Sequence, residues 1–379
     1  MILGVPRETA PGEQRAAIIP SVASALIDEG IEIIVSSGVG NSAGWSDTEF
    51  ESVGCEICEE RTTVFENADV IAQVRGFGAN PESDLDPYQP GQTIIGLLSP
   101  YDFDSYTDVV TENEISAFAL ELIPRISRAQ SMDVLSSMAS LGGYKSVLVA
   151  AEALPKLFPM QMTAAGTIRP ANVFVVGAGV AGLQAIATAQ RLGAAVKAYD
   201  IRPEVKEEVE SLGAEFVELN LETDDTSDEQ GRAREQDDEF YRKQREMMER
   251  TVAESDVVIT TAAIPGRPSP ELVTSEMISE METGSVIVDL AAAGGGNCEP
   301  TEADTEVTYE GVTIFGPTNL PATISRHASE LYANNISNFL KHIVKEGSLT
   351  FDTSDEIIDS TLLAHNGNIR NPHISEEEE

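Results

Sequence analysis

The chain is poor in positive charge, histidine, cysteine and aromatic side chains, and each shortage excludes something. Lys and Arg number 24 against 64 Asp and Glu in 379 residues, a net charge of −40. That field repels polyanions, so nucleic acid and anionic membrane surfaces are excluded as general partners. There are 3 cysteines. Cys55 and Cys58 have C-x-x-C spacing, and Cys298 stands alone. A structural zinc takes about four ligands, yet no histidine precedes His327. Incidental cytosolic thiols are expected, with no metal site; a redox pair lacks its usual context. No Ser, Cys and His fall in a nucleophilic arrangement, and no H-E-x-x-H occurs. The N-terminus lacks a basic stretch followed by an apolar core, so no signal peptide is expected. Residues 170–190 carry no charge and are long enough to span a bilayer. Glycines, Asn172, Gln184 and Gln190 interrupt them, so a soluble chain with no transmembrane segment is expected.

The acids are spread along the whole chain rather than gathered in the acidic tail 373–379. Adaptation to high salt is therefore expected, since the Debye length falls to about 3 Å at 1 M and self-repulsion is screened.

Against these shortages stands one rich feature. Residues 173–182 read V-F-V-V-G-A-G-V-A-G. The apolar run 173–176 predicts a buried strand. Gly177, Gly179 and Gly182 open a helical stretch, a second apolar run covers 195–199, and Asp200 follows. That is strand, G-x-G-x-x-G, helix, strand and acid, with the acid about 20 residues past the glycines. Gly177 permits a tight turn, Gly179 lets backbone approach a pyrophosphate, and Gly182 lets helix and strand pack closely. The helix N-terminus offers free N–H groups and a positive dipole end. Asp200 can accept from a ribose diol and repels a 2′-phosphate, so the expected cofactor is NAD(H) rather than NADP(H). Arg202 is the exception to watch, because an arginine after the acid can receive a phosphate.

Strand patterns at 2–5, 31–36, 70–74, 93–97 and 115–119 alternate with helix patterns at 20–29 and 60–67, and with helical pieces around 101–113. A helix is predicted over 142–157, opened by a Gly-Gly pair. Further strands are predicted at 173–176, 195–199, 215–217, 257–260, 285–289 and 312–315, and helices at 239–254 and 325–345. Beyond 347 a small strand pair and a frayed end are expected. Alternation of this kind predicts an α/β chain with parallel sheets. Two Rossmann-like domains are expected, an NAD-binding domain of 141–324 inserted in a discontinuous first domain of 1–140 plus 325–379. The polar stretch 223–238 is either a surface insertion or a lid over the nucleotide.

The loop 124–133 gathers Arg125, Gln130 and Asp133, then leads to Ser136. Two readings are open: a hydrogen-bond net for a nicotinamide carboxamide, or a capped loop with surface charges. Small-residue loops at 260–267 and 289–297 suit close approach by a ligand. The chemistry implied is hydride transfer between positioned groups, which needs no protein nucleophile.

Several long motifs occur together: P-R-E-T-A-P-G-E-Q-R, R-A-Q-S-M-D-V-L-S-S-M, V-G-A-G-V-A-G-L, Y-D-I-R-P-E-V-K-E, T-T-A-A-I-P-G-R-P and V-I-V-D-L-A-A-A-G-G-G-N-C-E. With them the chain resembles the NAD(H)-binding component of proton-translocating transhydrogenase, in a family that includes alanine dehydrogenase. The resemblance implies a cytoplasmic homodimer that binds NAD(H) and passes a hydride to NADP+ held on an NADP(H)-binding subunit. A membrane-embedded subunit would couple transfer to proton movement and hold this component at the membrane. Without transmembrane helices, the chain looks like the split form of the enzyme. By motif, Arg125, Gln130, Asp133 and Ser136 would position the nicotinamide. Gly177, Gly179, Val180 and Gly182 would hold the pyrophosphate, and Asp200, Ile201 and Arg202 the adenosine ribose. Gln244 matches a further family contact, and Ala263 stands where the family usually has leucine. The family's mobile loop carries Gly-Gly-Tyr-Ala-Lys; ungapped alignment puts Gly231 and Arg232 there.

Two other functions are compatible with the fold. Alanine dehydrogenase shares the N-terminal arginine, here Arg15, but needs a lysine and a histidine for proton transfer. The corresponding stretches here hold Arg75, a poor proton exchanger, and no histidine. A non-catalytic NAD(H) sensor is the other.

Overall fold

A computed structural model describes residues 1–80, 88–101, 106–218, 238–345 and 347–370. The chain divides into two compact units, one formed by Met1–Met138 with Pro321–Glu379 and the other by Ala139–Leu320.

The first unit opens with six strands: β1 (Ile2–Val5), β2 (Glu32–Ser36), β3 (Glu56–Cys58), β4 (Val70–Arg75), β5 (Thr93–Leu97) and β6 (Ser116–Ala119). They run parallel in the order 3-2-1-4-5-6. The second unit holds β7 (Asn172–Val176), β8 (Ala195–Tyr199), β9 (Glu215–Phe216), β10 (Val257–Thr260), β11 (Val286–Asp289), β12 (Glu306–Tyr309) and β13 (Val312–Phe315). Its order is 9-8-7-10-11-13-12, with only β12 antiparallel. The chain then returns to the first sheet through β14 (Leu362–His365) and β15 (Asn368–Ile369), both antiparallel additions beside β6.

Both sheets are doubly wound, and the order reverses between β1 and β4 in one and between β7 and β10 in the other. Crevices at the carboxyl ends of strands at such reversals are where ligands bind in open α/β sheets. The strands are apolar on both faces, as parallel sheets covered on both sides require. In β7, Val173 and Val175 enter one core with Val257, Ile259, Val286 and Val288. Phe174 and Val176 enter the opposite core with Val258, Ile287 and Ile314.

The predicted α/β class with two parallel-rich sheets holds, but several elements differ. The helix predicted from 142 runs from Val134 to Ala153. Gly142 and Gly143 lie inside it and do not start it. A Cβ on Gly143 would lie 2.0 Å from the carbonyl oxygen of Ala181, so this glycine serves helix packing. The same helix has the length and apolarity to cross a membrane, with 39% of its apolar window buried. Val147, Ala150 and Leu154 place it in the core of the second unit. The helix predicted to 345 ends at Ile343, and Val344–Lys345 pairs with Ser348–Leu349. Strands β3 and β12 carry no strong sequence signal: β3 is a three-residue edge, and β12 is half exposed. A hairpin of Gln161–Thr163 and Gly166–Ile168 is also unforeseen.

Candidate functional site

The second unit builds a glycine loop at the reversal of its sheet. Gly177 leaves β7 with φ +93°, a left-handed conformation that L side chains rarely adopt. Its N–H donates to the Tyr199 carbonyl at 2.8 Å, which ties the loop to β8. A Cβ on Gly182 would sit 1.8 Å from the Gly177 carbonyl oxygen. Gly177 and Gly182 are therefore fixed by turn and packing. Gly179 differs: a Cβ there would meet no protein atom within 4 Å. It is the N-cap of the helix Val180–Arg191 and provides no side-chain cap. Val180, the first helical residue, is 45% exposed, so this N-terminus opens outward with its N–H groups available to an anion.

Asp200 follows β8 and is buried. Its Oδ2 accepts the Ala178 N–H at 2.7 Å, which binds the acid to the glycine loop. Arg202 closes on the same carboxylate, with Nε 2.9 Å from Oδ1 and Nη2 2.9 Å from Oδ2. This pairing holds the guanidinium pKa above its ordinary value. Ile201 lies half-buried between them. Gln244 projects from the helix Asp238–Ala253, is buried, and donates from Nε2 to the Tyr199 hydroxyl at 3.0 Å. It thus braces the residue before Asp200. Ala263 is exposed in the loop after β10. Gly231 and Arg232, and nearly all of the stretch 223–238, lie outside the described residues.

Three residues organise this site that sequence reasoning did not single out. Thr261 donates to the carbonyls of Val176 and Gly177, at 3.3 and 3.2 Å. Asn297 clamps the next loop, accepting the Ala262 N–H and donating to the carbonyls of Ala262 and Pro270. Asp289, fully buried at the end of β11, accepts from Thr260, Ala291, Asn297, Cys298 and Thr301. The available signal was a polar residue at each end of the small-residue loop 289–297. Together they fix the loops after β7, β10 and β11 against one another.

In the first unit, Asp133 caps the start of the helix Val134–Ala153. It accepts the Ser136 N–H at 2.8 Å and the Ser136 hydroxyl at 2.6 Å. Arg125 and Gln130 are exposed, and their side chains make no hydrogen bond among the described residues. The structure joins Asp133 to Ser136 and leaves Arg125 and Gln130 outside that pair. The loop itself is anchored: Asn335 and Asn338 both donate to the Ser131 carbonyl.

The reversal of the first sheet holds a buried charged cluster. Arg15 is 4% exposed and forks onto Glu13, with Nε 2.7 Å from Oε1 and Nη2 2.6 Å from Oε2. Arg75 approaches the same carboxylate at 3.7 Å. Glu8 accepts the N–H groups of Val74 and Arg75, and burial pushes its carboxyl up to about 7. Tyr332 donates its hydroxyl to the carbonyls of Gln73 and Val74. Arg15 is thus already neutralised within the chain. Cys55, Cys58 and Cys298 are free and buried, and burial raises each thiol pKa. No group of three or more metal-ligating side chains occurs among the described residues.

This architecture has known relatives. The alanine dehydrogenase/PNT N-terminal domain matches residues 4–142, and the alanine dehydrogenase/PNT C-terminal domain matches residues 146–372. The chain belongs to the alanine dehydrogenase/PNT family. Within that family it is 42% identical to an NAD(P) transhydrogenase subunit alpha chain of Rhodospirillum rubrum, over 99% of each chain. The structure of transhydrogenase from Sinorhizobium meliloti superposes with a TM-score of 0.86 at 40% identity, covering 97% of this chain and 100% of that one. The alanine dehydrogenase of Halomonas elongata is 27% identical over 99% of this chain and 96% of its own. The higher identity places the chain with the transhydrogenase alpha subunits of the family.

Proposed function

We propose that this chain is the NAD(H)-binding component of a proton-translocating transhydrogenase. It would exchange a hydride with NADP(H) held on a partner subunit. The carrying observation is the loop Gly177–Gly182 with Asp200, built at the reversal of a doubly wound sheet in a chain of transhydrogenase kinship. The residues present fit a dinucleotide. An uncapped helix N-terminus and the open space beside Gly179 suit a pyrophosphate, and Asp200 with Arg202 suits an adenosine ribose. When bound, NADH supplies the hydride. The protein would fix the pyrophosphate at Gly177, Gly179, Val180 and Gly182, and the ribose at Asp200, Ile201 and Arg202. Gln244 and Ala263 complete that end of the proposed site. Arg125, Gln130, Asp133 and Ser136 are proposed to orient the nicotinamide; Asp133 and Ser136 are already locked together, so little side-chain entropy is lost on binding.

The proposed partners are a membrane-embedded subunit, an NADP(H)-binding subunit and a second copy of this chain, at the cytoplasmic face of the membrane. The exposed hairpin supports the homodimer. Met162 on it is 74% exposed and Ile168 47%, and its two short strands pair only with each other. Such an edge invites covering.

The charged cluster of the first unit argues against amino-acid chemistry. Arg15 already holds the Glu13 carboxylate on both oxygens, and Arg75 exchanges protons poorly. L-Alanine with NAD+ should therefore give no NADH above background, while NADH titrated onto the same preparation should bind with enhanced nicotinamide fluorescence. Alanine-dependent NADH formation would overturn the assignment.

A further inference from the structure

The acid at the adenosine end is already fully engaged. A carboxylate has about four acceptor positions, and four donors meet Asp200. Oδ1 accepts the Arg202 backbone N–H and Nε, both at 2.9 Å. Oδ2 accepts the Ala178 N–H at 2.7 Å and Arg202 Nη2 at 2.9 Å. The pair is sheltered, with side-chain exposures of 7% for Asp200 and 21% for Arg202. A ribose diol brings two more donors. The backbone N–H of Ala178 belongs to the glycine loop and that of Arg202 to the turn after β8, so neither leaves without unwinding its element. The guanidinium fork is the partner that can leave by rotating its own side chain.

We propose that Arg202 sets the ribose selectivity of this site by occupying Asp200. A nucleotide with a free 2′-hydroxyl must displace the fork before its diol reaches the carboxylate. A nucleotide with a 2′-phosphate needs no such access, because the displaced guanidinium is itself a bidentate phosphate partner. The bare acid of a simple fingerprint repels a 2′-phosphate; the Asp200–Arg202 pair has no net charge and repels it far less. Preference for NADH over NADPH is therefore weaker here than Asp200 alone would impose. This inference rests on the nucleotide-binding reading above and concerns which nucleotide that site admits.

The test is titration of the full-length chain with NADH and NADPH, followed by nicotinamide fluorescence in molar KCl. The variants are Arg202→Gln, Arg202→Lys and the exposed control Arg191→Gln. Arg202→Gln should tighten NADH about tenfold, the scale of one charged hydrogen bond, and weaken NADPH by at least as much. Arg191→Gln should move neither. Arg202→Lys keeps the charge without the fork, so it should tighten NADH while NADPH affinity stays within about threefold of the unmodified chain; it carries the test if the Gln variant does not fold. Equal weakening of both nucleotides, or an unchanged ratio, would overturn the proposal. Binding of neither nucleotide by the unmodified chain would overturn the nucleotide-site reading instead.

Discussion

At the scale of single residues, buried carboxylates carry most of the polar chemistry, and they fall into two kinds. Asp200 and Asp289 are surrounded by donors and organise the loops of the second unit. Glu8 and Glu121 are buried in the first unit with fewer partners. Glu121 accepts the N–H groups of Leu98 and Ser99 on one oxygen, and its Oε2 has no hydrogen-bond partner among the described residues. Burial pushes its carboxyl from 4.5 to about 7. Between those values the folded protein keeps a proton that the unfolded chain has released, so stability falls as pH rises through this window and levels off above it. Full expression of that shift is worth about 3 kcal/mol. Glu121→Gln should therefore gain about 3 kcal/mol on the unmodified protein between pH 5 and pH 8, read by urea denaturation in molar KCl. Parallel pH profiles for the two proteins would show that Glu121 is not the titrating group. Asp200 was legible in the sequence because its spacing from the glycines is fixed by the strand–helix–strand geometry. Its capture by Arg202 was not, because a two-residue separation does not say which way a guanidinium turns. Asn297 was hidden for a similar reason: the carbonyls it clamps, Ala262 and Pro270, lie 35 and 27 residues away.

At the scale of elements, the central strands were readable because they are short apolar runs buried on both faces. The edges were not. Strands β3, β12 and β15 and the hairpin at 161–168 lack the continuous apolar signal, since each is partly solvent-facing. The glycine pair at 142–143 read as a helix start because glycine is a poor helix former. Its use as a contact point with the Ala181 backbone depends on a partner nearly forty residues away. The 161–168 hairpin also gives the homodimer proposal its sharpest test. Met162→Asp places a charge on the most exposed large hydrophobic among the described residues, and burying it unpaired at an interface would cost several kcal/mol. Sedimentation velocity in molar KCl should show a dimer for the unmodified chain and at least a tenfold weaker one for the variant. A dimer of unchanged strength would move the interface elsewhere.

At the scale of the whole molecule, composition and topology set different properties. The 3-2-1-4-5-6 order of both sheets fixes where each unit has its crevice. The sequence anticipated two parallel sheets but not this repetition, because strand order depends on which strands pair and not on where they occur in the chain. The net charge of −40 bears on stability. At low ionic strength the acids repel one another over about 10 Å at 0.1 M, and over only about 3 Å at 1 M. The melting temperature should therefore rise by about ten degrees or more between dilute buffer and 2 M KCl, on the scale of a few kcal/mol. A melting temperature independent of KCl would refute salt adaptation.

The central claim is that this chain handles one end of a hydride exchange whose other end lies on another subunit. The most direct test is hydride transfer from NADH to a spectrally distinct NADP+ analogue in molar KCl, measured with and without the NADP(H)-binding subunit. The account predicts transfer only when that subunit is present and loaded, and none from either protein alone. Binding of NADH without any transfer to a folded, loaded partner would contradict it and leave the chain a nucleotide sensor.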